Sequence, residues 1–279
     1  MDAFWIILTG SLVAVSCALL GSFLILRKMS MVGDAISHSV LPGIVIAFFI
    51  AGSMQSIWML VGAGILGILT TFLIEFFHQK GRLQTDASIG VTFTWLFALG
   101  VILVTYYAGN AHIDQDCILH GEIAYVPIDL MYDSQGNPIG PKAVIILSFV
   151  LVLILAFIFL FYKELFITTF DASFASAIGL NTSRWHYALM GLVSLTTVAS
   201  FESVGAILVV ALLIAPAASA YLITTQLKTM LILSSGFGIL SSFLGYWLSY
   251  LLDGSIAGAM VTVSGFIFAV CYVIVRIKK

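Results

Sequence analysis

The sequence predicts an all-α polytopic membrane protein. It reads as one transmembrane domain over 1–279, a bundle of eight to nine helices with one short helix on the cytoplasmic side. Three observations predict it. The chain is 61% hydrophobic and 9% charged, with a mean hydropathy of +1.16, and so apolar a chain needs lipid as its solvent. Apolar stretches recur at lengths near 20 residues, which match a hydrocarbon core ~30 Å thick. The charges then sort by side. With the amino terminus outside and alternate crossings, ten of the eleven Lys and Arg residues face the cytoplasm and Lys142 alone lies outside, the positive-inside pattern.

In order, the expected spans are 4–26, 35–51, 57–77, 88–108, 142–162, 186–201, 203–222, 229–250 and 256–275. The start, Met1-Asp2-Ala3, lacks the basic region of a secretion signal, and the first apolar stretch is long enough to span. Residues 186–222 must cross twice or dip in and return, because a single crossing would move Lys228, Arg276, Lys278 and Lys279 outside. Small residues at Gly62-Ala63-Gly64, Gly67, Gly254, Ala257 and Gly258 suit close helix packing. Pro216 lies inside an apolar helix and Pro42 lies one turn after His38; each is expected to kink its helix or free a carbonyl.

Two loops stand out. The external loop 109–141 holds His112, Asp114, Asp116, His120, Glu122, Asp129 and Asp133 and no Lys or Arg. It reads as a lid or docking surface whose negative potential draws a cation inward; the alternative is an outer loop poor in basic residues for topological reasons alone. Asn137-Pro138 and Gly140-Pro141 are turn signals. The cytoplasmic segment 163–185 contains Phe170-Asp171-Ala172-Ser173-Phe174-Ala175-Ser176-Ala177-Ile178-Gly179. Asp171 is placed to cap a two-turn helix and Gly179 to stop it. Phe170, Phe174 and Ile178 recur every four residues and make one face apolar, for a groove on a partner or for the lipid headgroups.

Chemistry concentrates at Asp34 and His38, four residues apart in a membrane segment and so on one helix face. A carboxylate and an imidazole are costly in hydrocarbon, and together they offer oxygen and nitrogen to a divalent metal. The competing reading makes Asp34 a helix cap and His38 a partner for a backbone carbonyl. Glu202, beside Ser203 and Gly205, is placed as a cap on the outer end of the 203–222 helix, with a gating role second. Glu75, His78 and His186 lie close to the interfaces, where they can snorkel to water. The chain has no P-loop, no His-Glu-x2-His, no Gly-x-Ser-x-Gly, no Cys-x2-Cys and no basic patch for nucleic acid.

Three stretches carry a family resemblance. Gly33-Asp34-x3-His38-x3-Pro42-Gly43, Phe170-Asp171-x3-Ala175-x3-Gly179-Leu180 and Val204-Gly205…Pro216-Ala217-Ala218 occur in order along nearly the whole chain. The chain resembles permeases of the metal-ABC family, membrane subunits of bacterial ATP-driven importers of manganese, zinc or iron. The resemblance implies a multi-pass protein of the bacterial cytoplasmic membrane, and the charge count places its carboxy terminus in the cytoplasm. It implies a second permease chain (copy or paralogue), cassette ATPase subunits that bring the ATP, and an external metal-binding lipoprotein. It implies no permanent cofactor and no catalytic residue, with metal held by Asp34 and His38. The segment 170–179 becomes a coupling helix in which Phe170, Asp171, Phe174, Ala175, Ile178 and Gly179 meet the ATPase. Asp114-Gln115-Asp116-Cys117-Ile118-Leu119-His120 is similar to the manganese/iron branch, putting Mn²⁺ ahead of Fe²⁺ or Zn²⁺. A metal-dependent membrane enzyme, built if Asp34, His38, Glu202 and the outer histidines converged, and a stand-alone cation channel or carrier are the alternatives.

Overall fold

The computed structural model describes residues 2–51, 56–107, 123–132 and 138–277. It is a helical bundle: α1 (Asp2–Leu26), α2 (Val32–Ser39), α3 (Leu41–Ala51), α4 (Ser56–Gln79), α5 (Thr85–Tyr107), α6 (Lys142–Leu160), α7 (Tyr162–Phe170), α8 (Ala172–Ala177), α9 (Thr182–Val204), α10 (Ala206–Ile223), α11 (Leu227–Leu252) and α12 (Ile256–Ile277). Leu130–Tyr132 (β1) pairs antiparallel with Pro138–Pro141 (β2) ahead of α6. Pro138 and Gly140-Pro141, expected as turns, are therefore extended. A two-stranded ribbon leaves one edge of each strand unpaired, so proline's missing N–H is tolerated there.

Eight spans among the described residues are long and apolar enough to cross a membrane: α1, α2 with α3, α4, α5, α6, α10, α11 and α12. Contacts give their directions. Ala14 meets Gly238 and Ser22 meets Ser234, so α1 and α11 run antiparallel. Gly43 and Ala47 of α3 face Leu66 and Gly62 of α4, again antiparallel. Gly67 and Glu75 of α4 face Ser194 and His186 of α9. Between the end of α6 and the start of α11 the chain must therefore cross twice, as α9 and then α10. With 23 residues, α9 is about 34 Å long. Its Ser194, Thr196, Thr197 and Ser200 are buried among its neighbours. Thr196 and Thr197 donate to carbonyls one turn back, 2.7 Å each.

The α9–α10 joint is one residue, Gly205, at φ +79°, where a side chain would be strained. This corrects the expected boundary: Glu202 lies in the last turn of α9, and Gly205 occupies the N-cap position of α10 without a side-chain cap. The helix α10 runs through Pro216 unbroken, leaving the Leu212 carbonyl without its usual backbone donor. The span expected at 35–51 is two helices broken at Val40, since Pro42 has no N–H to return to the His38 carbonyl. The core gathers around α1, where Val13, Cys17, Leu20, Phe23 and Leu24 are buried.

Candidate metal centre

The helix α2 is held on several sides at once. A Cβ on Gly33 would stand 2.5 Å from a methyl of Leu213, so glycine lets α2 lie against α10 without displacing that side chain. Ser39 and Thr70 share a hydrogen bond of 2.7 Å that ties α2 to α4. Ile36 packs at 3.3 Å from the Cβ position of Gly67, where Ser194 of α9 also meets α4. The remaining face carries Asp34 and His38. Asp34 Oδ1 stands 3.6 Å from His38 Nε2, with the side chains 32% and 39% exposed. The rings of Phe93 and Phe97 on α5 lie 5.9 Å from the imidazole, centre to centre.

The geometry bears on the competing reading of this pair. The N-cap of α2 is Met31, with no side-chain cap hydrogen bond, and Asp34 sits inside the first turn. No hydrogen bond from His38 to a backbone carbonyl occurs among the described residues, where the imidazole meets a carboxylate and two phenyl rings. Donor atoms about 2.1 Å from one ion stand about 3.4 Å apart at a tetrahedral angle and about 3.0 Å apart at the right angle of a six-coordinate ion; from 3.6 Å the pair need close by only a few tenths of an ångström to hold one ion. The pair supplies two oxygens and one nitrogen at most. No group of three or more His, Cys, Asp or Glu side chains placed to hold a metal occurs among the described residues.

Asp114, Asp116, Cys117 and His120 lie outside the described residues, as does the side chain of Glu202. At the other end of the bundle, Asp171 Oδ1 accepts the Phe174 N–H at 2.8 Å and caps α8. Leu180 N–H returns to the Ala175 carbonyl at 3.0 Å and Gly179 takes φ +85°, which closes the helix. Ala175 is buried, while Phe170, Phe174 and Ile178 are each about half exposed on the outer side. The segment 163–185 is more helical than expected: α6 stops at Leu160 and α7 precedes α8. Arg27, in the turn after α1, donates to Thr168 and Thr169 of α7 at 3.2 Å each. Burial lowers its pKa to about 10, and the guanidinium stays charged at neutral pH.

Glu75 and His186 were expected to snorkel separately. They face each other instead, with Oε2 and Nε2 3.3 Å apart and side chains only 17% and 16% exposed. Nothing local in the sequence announces this pair, because its members belong to helices distant along the chain.

A bundle of membrane-crossing helices that carries a helical segment between two spans and a carboxylate–imidazole pair within its second span is a multi-pass membrane protein, and its relatives define it as a permease of the transporter class. The model of the ABC 3 transport family matches residues 3–276, and the chain belongs to that family. It is 52% identical over 268 residues to the manganese transport system membrane protein MntD of Bacillus subtilis, covering 96% of this chain and 89% of the relative. It is 42% identical over 267 residues to the zinc transport system membrane protein TroD of Treponema pallidum, covering 96% and 72%. The solved structure of PsaBC from Streptococcus pneumoniae in complex with Fab superposes with a TM-score of 0.78 at 34% identity, over 96% of this chain and 90% of that one.

Proposed function

We propose that this chain is the membrane subunit of an ATP-driven importer of a divalent metal, manganese before iron or zinc, in the bacterial cytoplasmic membrane. Asp34 and His38 hold the ion in transit at an interface between two permease chains. Cassette ATPases on the cytoplasmic side act through α8, and an external metal-binding lipoprotein docks over the 109–141 loop. The observation that carries this reading is the Asp34–His38 pair, two donors near ligand spacing on the open face of an otherwise packed helix. A Mn²⁺ ion prefers about six oxygen-rich ligands. Three donors from each of two chains related by a dyad supply six, which is why a single chain leaves the pair partly exposed. The names of the manganese and zinc relatives support the cargo class.

Uptake into proteoliposomes holding the full transporter tests it. Asp34→Ala and His38→Ala are each expected to lower Mn²⁺ uptake at least tenfold with membrane insertion and ATPase assembly retained. Asp34→Asn is expected to fail as well, because it keeps the shape and loses the charge that offsets a dication in a low dielectric. Wild-type uptake by both alanine variants would return the pair to a structural role. Competition among Mn²⁺, Fe²⁺ and Zn²⁺ in the same assay ranks the metals.

A further inference from the structure

The Glu75–His186 pair repeats the donor chemistry of Asp34–His38 at a second depth. Glu75 lies eight residues beyond Gly67 on α4, and His186 lies eight residues before Ser194 on α9. Gly67 and Ser194 are where those helices touch, and Ile36, between Asp34 and His38, packs into the same contact. At 1.5 Å per residue Glu75 stands about 12 Å along α4 from Gly67 and about 8 Å from Thr70, the residue that bonds Ser39. This is toward the end where Arg27 meets α7. Buried hydroxyls occupy the interval: Thr70, bonded to Ser39, then Thr71 on α4, with the Ser194 hydroxyl lacking a partner.

The contact within the pair is not an oriented hydrogen bond. Nε2 of His186 is buried without a hydrogen-bond partner although a carboxylate oxygen stands 3.3 Å away. That spacing matches two ligands on one ion, about 3.4 Å for bonds near 2.1 Å. Leaving a buried imidazole nitrogen unsatisfied costs free energy, and a cation bound beside the Glu75 carboxylate would satisfy it.

From this geometry we infer that Glu75 and His186 form a second divalent-cation station, which the ion occupies between the Asp34–His38 pair and the cytoplasm. The inference rests on the transport reading above. Three protein donors at most, completed by water, make a weaker site than six donors at a dimer interface. A weak station on the exit side suits release, since an ion held tightly at every stop would not leave.

The test uses the full transporter in nanodiscs for equilibrium Mn²⁺ binding and in proteoliposomes for Mn²⁺ uptake. In a His38→Ala background, a weak class of bound Mn²⁺ is expected to persist and to weaken at least tenfold when Glu75→Gln is added. With the central pair intact, Glu75→Gln and His186→Lys are each expected to slow uptake at least tenfold. His186→Lys is the discriminating variant, because it keeps an ion pair with Glu75 and removes the imidazole ligand. The exchanged double variant E75H/H186E keeps both donors and is expected to recover uptake relative to either single variant. Wild-type uptake by His186→Lys, or no weak Mn²⁺ class sensitive to Glu75→Gln, would overturn the station and leave an ionic tie between α4 and α9. Those results with His38→Ala still inactive sink the station alone, whereas wild-type uptake by His38→Ala sinks the transport reading.

Discussion

At Gly21 the backbone of α1 lies so close to α10 that a Cβ would overlap the carbonyl oxygen of Leu213. Backbone cannot step aside as the end of a flexible side chain can, so Gly21→Ala is expected to cost about 3 kcal/mol or more. It should lower the midpoint of thermal unfolding in detergent. Gly64→Ala is the matched control: nothing stands within 4 Å of its Cβ position, and alanine favours a helix over glycine by about 1 kcal/mol, so its midpoint should hold or rise. The sequence pattern Gly62-Ala63-Gly64 does not separate these cases. A Cβ on Gly62 would stand 2.5 Å from the Gly43 carbonyl oxygen and from the Ala47 methyl, while one on Gly254, Gly258 or Gly64 would meet nothing so close. Small residues are permissive of contact, and only the helix rotation decides which are used. The Asp34–His38 pair was legible because its spacing lies within one helix. The Glu75–His186 pair was not, because it depends on how α4 and α9 are placed.

Among the elements, α8 was the easiest to read. Its cap, its stop and its apolar face are all local signals, and local signals survive whatever the rest of the bundle does. Its half-exposed Phe174 offers the cleaner test of coupling, since Gly179 at φ +85° would be strained by any side chain. Phe174→Asp is expected to weaken ATPase binding by about 2 kcal/mol or more, as loss of an apolar anchor at an interface does. Copurification of the ATPase and coupled uptake should fall together, with Mn²⁺ binding unchanged and Phe174→Leu close to wild type. Normal assembly of Phe174→Asp would place the ATPase contact elsewhere. Where boundaries were misread, a missing constraint explains it. Val40 breaks the second span because the proline two residues on removes a backbone donor, and α9 extends through Glu202 because Gly205, not the carboxylate, ends it.

Across the whole molecule, the order of spans was legible because lipid selects apolar surface directly, and the parity of the basic residues required two crossings over 186–222. The antiparallel contacts of α9 with α4 and of α11 with α1 agree with that count. The absolute orientation is a separate matter, and cysteine accessibility tests it. A membrane-impermeant thiol reagent added to intact cells is expected to label Cys117, while Cys17 and Cys271, both buried, stay silent; labelling of Cys117 only after permeabilisation would invert the bundle. The buried hydroxyls of α9 have a consequence for biogenesis. A helix carrying Ser194, Thr196, Thr197 and Ser200 on surfaces that neighbours cover gains little by partitioning into lipid on its own. A stage of independent insertion followed by a stage of association describes α6, whose sequence is apolar all round. For α9 association is expected to add more to its hold on the bilayer, because its hydroxyls are covered by neighbouring helices rather than by lipid.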